Sequence, residues 1–241
     1  VQPDPTAILE KLAITEPLIG FYDAPDPMPF APLIEPADEH ECIFASYPRW
    51  REGATLHITE TKHGCGAPHV LGLQTRSQDE MVRFLVEEEG LRASPELMRQ
   101  WLEAAPGYQP RHQHVLIGPL HADQYDYLRS VTFYVNADQL AVLVTGSSYY
   151  SRPEDPPVVA PFSSGCGQLA SVFGDVANFD LPRAVIGATD QAMRKQLPPA
   201  ILAFTVTKPM FEQLCRWADD PKSSLHNNFL QQLLTARGGS F

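Results

Sequence analysis

The sequence predicts an α/β or mixed α+β fold in a single compact domain. Three observations carry this. Short apolar runs rich in β-branched residues, such as 131–135 and 201–206, alternate with stretches of helical periodicity. Hydrophobic residues make up 44% and charged residues 20% of the 241 positions, enough for a packed core. The 23 prolines concentrate in 24–36 and 153–161. Proline fixes φ and biases its predecessor to extended geometry, so these stretches are stiff connections and mark no domain boundary.

The elements follow in order. Asp4-Pro5 supplies an N-cap and a first helical position ahead of Ile8, Leu9 and Leu12. Residues 17–22 read as a short buried strand, 40–51 as a helix ending at Gly53, and 55–61 as a strand by alternation. Ser77-Gln-Asp-Glu80 has the form of a capping box before Met81, Val82, Leu85 and Val86, with Gly90 as the stop. Ser94-Pro95-Glu96 opens the next helix. Strands are predicted over 115–118, 131–135, 184–187 and 201–206, and helices over 137–144, 209–218 and 225–236. In the last helix Leu225, Phe229, Leu230, Leu233 and Leu234 form one stripe.

Charge narrows the function. Eighteen basic against 29 acidic residues leave a formal charge of −11, which argues against nucleic acid and against anionic membrane as partners. No apolar run approaches the roughly 20 residues of a spanning helix, and no basic-then-apolar signal segment is present; whether a leader precedes Val1 stays open. The four cysteines, Cys42, Cys65, Cys166 and Cys215, are scattered and lack a Cys-x-x-Cys, so a reducing cytoplasm is expected.

One pattern occurs twice. Gly64-Cys65-Gly66 and Gly165-Cys166-Gly167 each follow an extended segment and precede an apolar stretch that closes on glycine. Flanking glycines permit close approach by another group. If a helix begins after each, its N-terminus favours a thiolate. The echo also suggests a pseudo-repeat around 17–75 and 131–180, two pseudo-symmetric halves each carrying a Gly-Cys-Gly turn. The plain alternative is a tight turn around a small buried residue, since cysteine is often buried.

Six segments stand in a fixed order along the chain: Pro17-Leu-Ile-Gly-Phe-Tyr22, Cys42 ahead of Arg51-Glu-Gly53, Cys65-Gly-Ala-Pro-His-Val-Leu-Gly72, Gly118-Pro119-Leu120, Val131-Thr-Phe-Tyr-Val-Asn-Ala-Asp-Gln139 and Gly165-Cys166-Gly167. In this order they resemble the prokaryotic family catalogued as domain of unknown function 169. The resemblance covers most of the chain. It implies a mixed α/β fold and supplies no reaction.

The residues themselves suggest chemistry. His63-x-Cys65-x-x-x-His69, with Cys166, offers a Cys₂His₂ ligand set for a metal; thiolates also suit an iron–sulfur or haem-type cofactor. Without a metal, Cys65 and Cys166 could act as a redox pair or supply a nucleophile, with His63 or His69 as base. Gly165-x-Gly167-x-x-Ala170 matches a dinucleotide fingerprint only if a strand precedes and a helix follows. The leading expectation is therefore a metal- or redox-cofactor protein. Cys65 and Cys166 are its reactive centre, His63 and His69 join them as ligands, and the Gly64, Gly66, Gly165 and Gly167 backbones line the cofactor. The runner-up is a non-catalytic module binding a small anion at the paired helix starts. The sequence leaves the oligomeric state open.

Overall fold

The structure is a computed structural model. It describes residues 3–35, 42–59, 66–73, 77–104, 107–160, 166–167 and 179–238. Its centre is one mixed sheet of eight strands: β1 (Ile19–Ala24), β2 (Leu33–Ile34), β3 (Thr55–Ile58), β4 (His114–Pro119), β5 (Leu128–Val135), β6 (Val158–Val159), β7 (Ala184–Gly187) and β8 (Leu202–Thr207). The spatial order is β2-β3-β4-β1-β5-β8-β7-β6.

That order has twofold character. β1–β4 and β5–β8 repeat one arrangement outward from the centre: two antiparallel pairings and then a parallel outermost pair, β2 with β3 and β6 with β7. The halves join through antiparallel β1 and β5, where Gly20 faces Val131. Following the ladders inward matches Leu56 with Val185, Ile117 with Thr205, Phe21 with Thr132 and Asp23 with Tyr134. Gly20 and Val131 match each other, so the pseudo-dyad passes through that pair, normal to the sheet. Gly20 is required there: a Cβ would lie 2.5 Å from the Tyr22 ring.

Strand alternation divides the core into two layers. On one face Tyr22, Val131, Phe133, Val135, Phe204 and Val206 meet α1 (Thr6–Lys11), α6 (Ala137–Ser147), α8 (Lys208–Asp219) and α9 (Asn228–Ala236). Trp217, Phe211 and Leu214 of α8 are fully buried against it. The other face carries Ile19, Phe21, Leu56, Val115, Ile117, Tyr134 and Val185. It is covered by loops and short helices, chiefly α2 (Tyr47–Arg51), α3 (Ala67–Val70) and α7 (Gln191–Arg194). Their residues Trp50, Ala67 and Met193 pack into this loop-face layer. α4 (Gln78–Arg83), which continues as a π-helical turn to Glu88, and α5 (Pro95–Ala104) lie between β3 and β4.

Several local expectations change. Asp4 accepts the Thr6 N–H at 2.9 Å, but the N-cap position itself is Pro5. Ser77 is the N-cap of α4 without a side-chain cap bond. The capping box forms instead at Asn136 and Gln139, ahead of α6. Residues 42–51 are a 3₁₀ turn, Ile43–Ser46, running into α2 rather than one helix. The C-terminal stripe splits: Leu225 and Leu230 are buried, whereas Phe229 is 76% exposed, because a 3₁₀ turn at Ser224–His226 breaks the periodicity before α9 starts. The prolines of 24–36 and 153–161 flank β2 and β6, edge strands of two residues each. Edge positions tolerate proline because their outward N–H groups need no ladder partner.

Candidate functional site

The sequence-predicted residues fall unevenly. His63, Gly64, Cys65 and Gly165 lie outside the described residues. Gly66 is the exposed N-cap of α3, and His69 is half-buried in its last turn. α3 has only four residues. A macrodipole requires several aligned turns, so this helix offers little to stabilise a Cys65 thiolate or an anion at its start. Cys166 and Gly167 are themselves helical; Cys166 is half-buried and Gly167 buried. Among the described residues, no group of three or more His, Cys, Asp or Glu is placed to hold a metal ion.

The pseudo-dyad pairs the cysteines differently from the sequence echo. Cys166 lies between β6 and β7, which corresponds to the β2–β3 connection that carries Cys42. Cys65 instead follows β3, so the two Gly-Cys-Gly segments are not topological equivalents. Cys42 and Cys166 both pack against the loop-face layer. Ala67, two residues after Cys65, is buried in that same layer. Cys215 lies on the opposite face at 2% exposure, and burial pushes its thiol up to about 12, which makes it an inert packing residue.

The two halves of the loop face differ in chemistry. The first half is floored by Ile19, Phe21 and Ile117. Their counterparts in the second half are Ser130, Thr132 and Thr205, all buried at 1% exposure or less. The Thr132 and Thr205 hydroxyls are 2.9 Å apart. Among the described residues, the Tyr134 hydroxyl, on the same strand as Thr132, and Trp50 Nε1, elsewhere in this layer, are buried and make no hydrogen bond. Burial, then the nearby Tyr47, Cys42 and Glu16, hold the Tyr134 phenol well above its ordinary range. Tyr47 stacks edge-on against Tyr134 at 4.9 Å and donates to Glu16 at 2.6 Å, and Arg51 pairs with the same carboxylate at 3.0 Å.

At the position related to Tyr134 by the pseudo-dyad lies Asp23, at 1% exposure. Its carboxylate accepts from the Tyr108 hydroxyl at 2.7 Å, Arg111 N–H at 2.6 Å and His112 N–H at 2.8 Å, with His112 Nδ1 at 3.3 Å. Asp23 thus ties the segment ahead of β4 to the sheet. Burial first, and Asp23 second, raise the Tyr108 phenol above its ordinary value, so it remains a donor. The Tyr108 ring sits between Phe21 and Phe179, at 5.0 and 5.4 Å. Arg129 lies over Phe179 at 5.3 Å. The signal for Asp23 was a charged residue at the end of an apolar strand. The strand predicted over 17–22 stops one residue before it, because an acidic side chain ordinarily ends a buried run.

The profile of the domain of unknown function 169 family, described as uncharacterised ArCR, matches residues 15–216. No curated protein and no solved structure matches the chain. The chain belongs to the domain of unknown function 169 family.

Proposed function

We propose that this member of the family binds a metal or redox-active cofactor through thiols on the loop face of its sheet and carries out thiol-dependent chemistry there. In this reading Cys65 and Cys166 are the central thiols. His63 and His69 serve as further ligands or proton acceptors, and the Gly64, Gly66, Gly165 and Gly167 backbones allow close approach. The observation that supports it is convergence on one layer. Cys42 and Cys166 both pack there, and Ala67 reaches it from the Cys65 side. The floor beneath the second half is hydroxyl-bearing where its counterpart is apolar. Buried hydroxyls need hydrogen-bond partners, and Thr132 and Thr205 supply each other at 2.9 Å, so this half of the layer carries polar groups that its counterpart lacks.

The test is an ultraviolet–visible spectrum with metal analysis on protein purified without oxygen, beside the double variant Cys65→Ser/Cys166→Ser. A visible band or near-stoichiometric metal that disappears in the variant is the expected result. A colourless, metal-free wild type, or a signal that survives the double substitution, overturns the reading.

A further inference from the structure

The pairing of β1 with β5 contains a bulge. Ile19, Gly20 and Phe21 face Thr132, Val131 and Ser130 in strict register, but Tyr22 faces Leu128, so Arg129 is the extra residue. Alternation alone would direct Arg129 to the same face as Val131 and Phe133. Leu128 occupies that helix-face layer instead, and Arg129 lies against Phe179 of the loop-face layer. A bulge re-aims one side chain in this way.

The re-aimed guanidinium is almost covered, at 13% side-chain exposure. Among the described residues its Nε and Nη2 atoms are fully buried and have no acceptor at hydrogen-bonding geometry, although the Tyr108 hydroxyl lies close enough for the guanidinium to lower its pKa. These two nitrogens share one edge of the guanidinium plane. Together they form the side-on fork that receives both oxygens of a carboxylate. The nearest acid, Asp180, places Oδ1 3.7 Å from Nη2, beyond hydrogen-bond distance, and its side chain is 61% exposed. Asp180 is also shared with Arg111 at 3.5 Å. Asp23 is committed to Tyr108, Arg111 and His112.

We propose that the Arg129 fork is a binding site for the carboxylate group of a small molecule. A buried donor pair without an acceptor costs stability, and a charged one costs more. A ligand oxyanion that fills both donors recovers that cost. The charge balance favours a monoanionic head: Arg129 and Arg111 stand beside Asp180 and Asp23, which disfavours a dianionic phosphate. The site lies at the opposite end of the sheet layer from Tyr134 and does not depend on any cysteine.

The experiment is thermal unfolding of the full chain at constant ionic strength, titrated with sodium acetate, benzoate or inorganic phosphate. Saturable stabilisation by the carboxylates is expected in wild type and in Asp180→Asn. Arg129→Lys keeps the charge and loses the fork, so it should lose most of the shift. A direct readout guards against a folding defect in that variant: the Arg129 Nε–H resonance of wild type should move with benzoate along the same saturation curve. No saturable shift with either carboxylate overturns the proposal. So does a shift that Arg129→Lys retains, a stronger response to phosphate, or loss of the response in Asp180→Asn.

Discussion

Replacing Asp23 by alanine removes the acceptor for three close donors at once, the Tyr108 hydroxyl and the N–H groups of Arg111 and His112. The donors do not suffer equally. Tyr108 is 2% exposed, so its orphaned hydroxyl bears a full desolvation penalty of roughly 1–3 kcal/mol. Arg111 and His112 are exposed, and water can reach their N–H groups, so each loses only a net bond of about 0.5–1 kcal/mol. The expected cost is about 3 kcal/mol, a large fraction of the roughly 5–15 kcal/mol that holds a domain folded. Tyr108→Phe alone removes one bond to a carboxylate that keeps its other donors, and should cost about 1.5 kcal/mol. The informative quantity is the cycle. In the Asp23→Ala background, Tyr108→Phe removes an already orphaned hydroxyl, so it should be neutral or stabilising. Urea unfolding of the four proteins, with slopes checked for constancy, measures this. If Tyr108→Phe costs the same in both backgrounds, the hydroxyl does not depend on Asp23 and the account of this cluster is wrong.

Two further substitutions separate local rules from tertiary contacts. Alanine in place of a helical glycine ordinarily stabilises, by up to about 1 kcal/mol in a helix interior and less in the last turn. At Gly146, however, a Cβ would lie 2.8 Å from Cε3 of the fully buried Trp217, so Gly146→Ala should destabilise by roughly 1–3 kcal/mol in thermal or chemical unfolding. His57 is held below its ordinary value of 6.5 by burial first and by His114 second, with Glu35 opposing. His57 Nε2 is 3.1 Å from His114 Nδ1, a bond that requires one neutral ring. Below about pH 6.5 the unfolded chain therefore binds more protons than the folded one at this position. Its contribution is present above that pH and lost as pH falls through the depressed value. Unfolding midpoints at pH 7.5 and 5.5 should differ less in His57→Gln than in wild type; an unchanged difference would assign the acid sensitivity elsewhere.

Much of the fold is legible in the chain because its cause is local. The apolar runs around Phe133 and Phe204, the helical stretch over 209–218, and the glycine stop at Gly90 act within a few residues, and each appears as an element or its end. The family, too, is carried by short ordered segments. The two-residue strands β2 and β6 are invisible locally, since their identity comes from parallel partners 22 and 26 positions away, at Thr55 and Ala184. The Gly-Cys-Gly echo pairs Cys65 with Cys166 by composition, whereas strand order pairs Cys42 with Cys166. Likewise, no periodicity signals that Arg129 changes face, because a bulge is a property of two strands meeting out of step. Composition, element types and the candidate thiols are thus determined by the sequence alone. Which thiols are equivalent, which hydroxyls are buried together and which arginine is left with a fork to fill are decided by tertiary structure, because pairing register links residues that share no local signal.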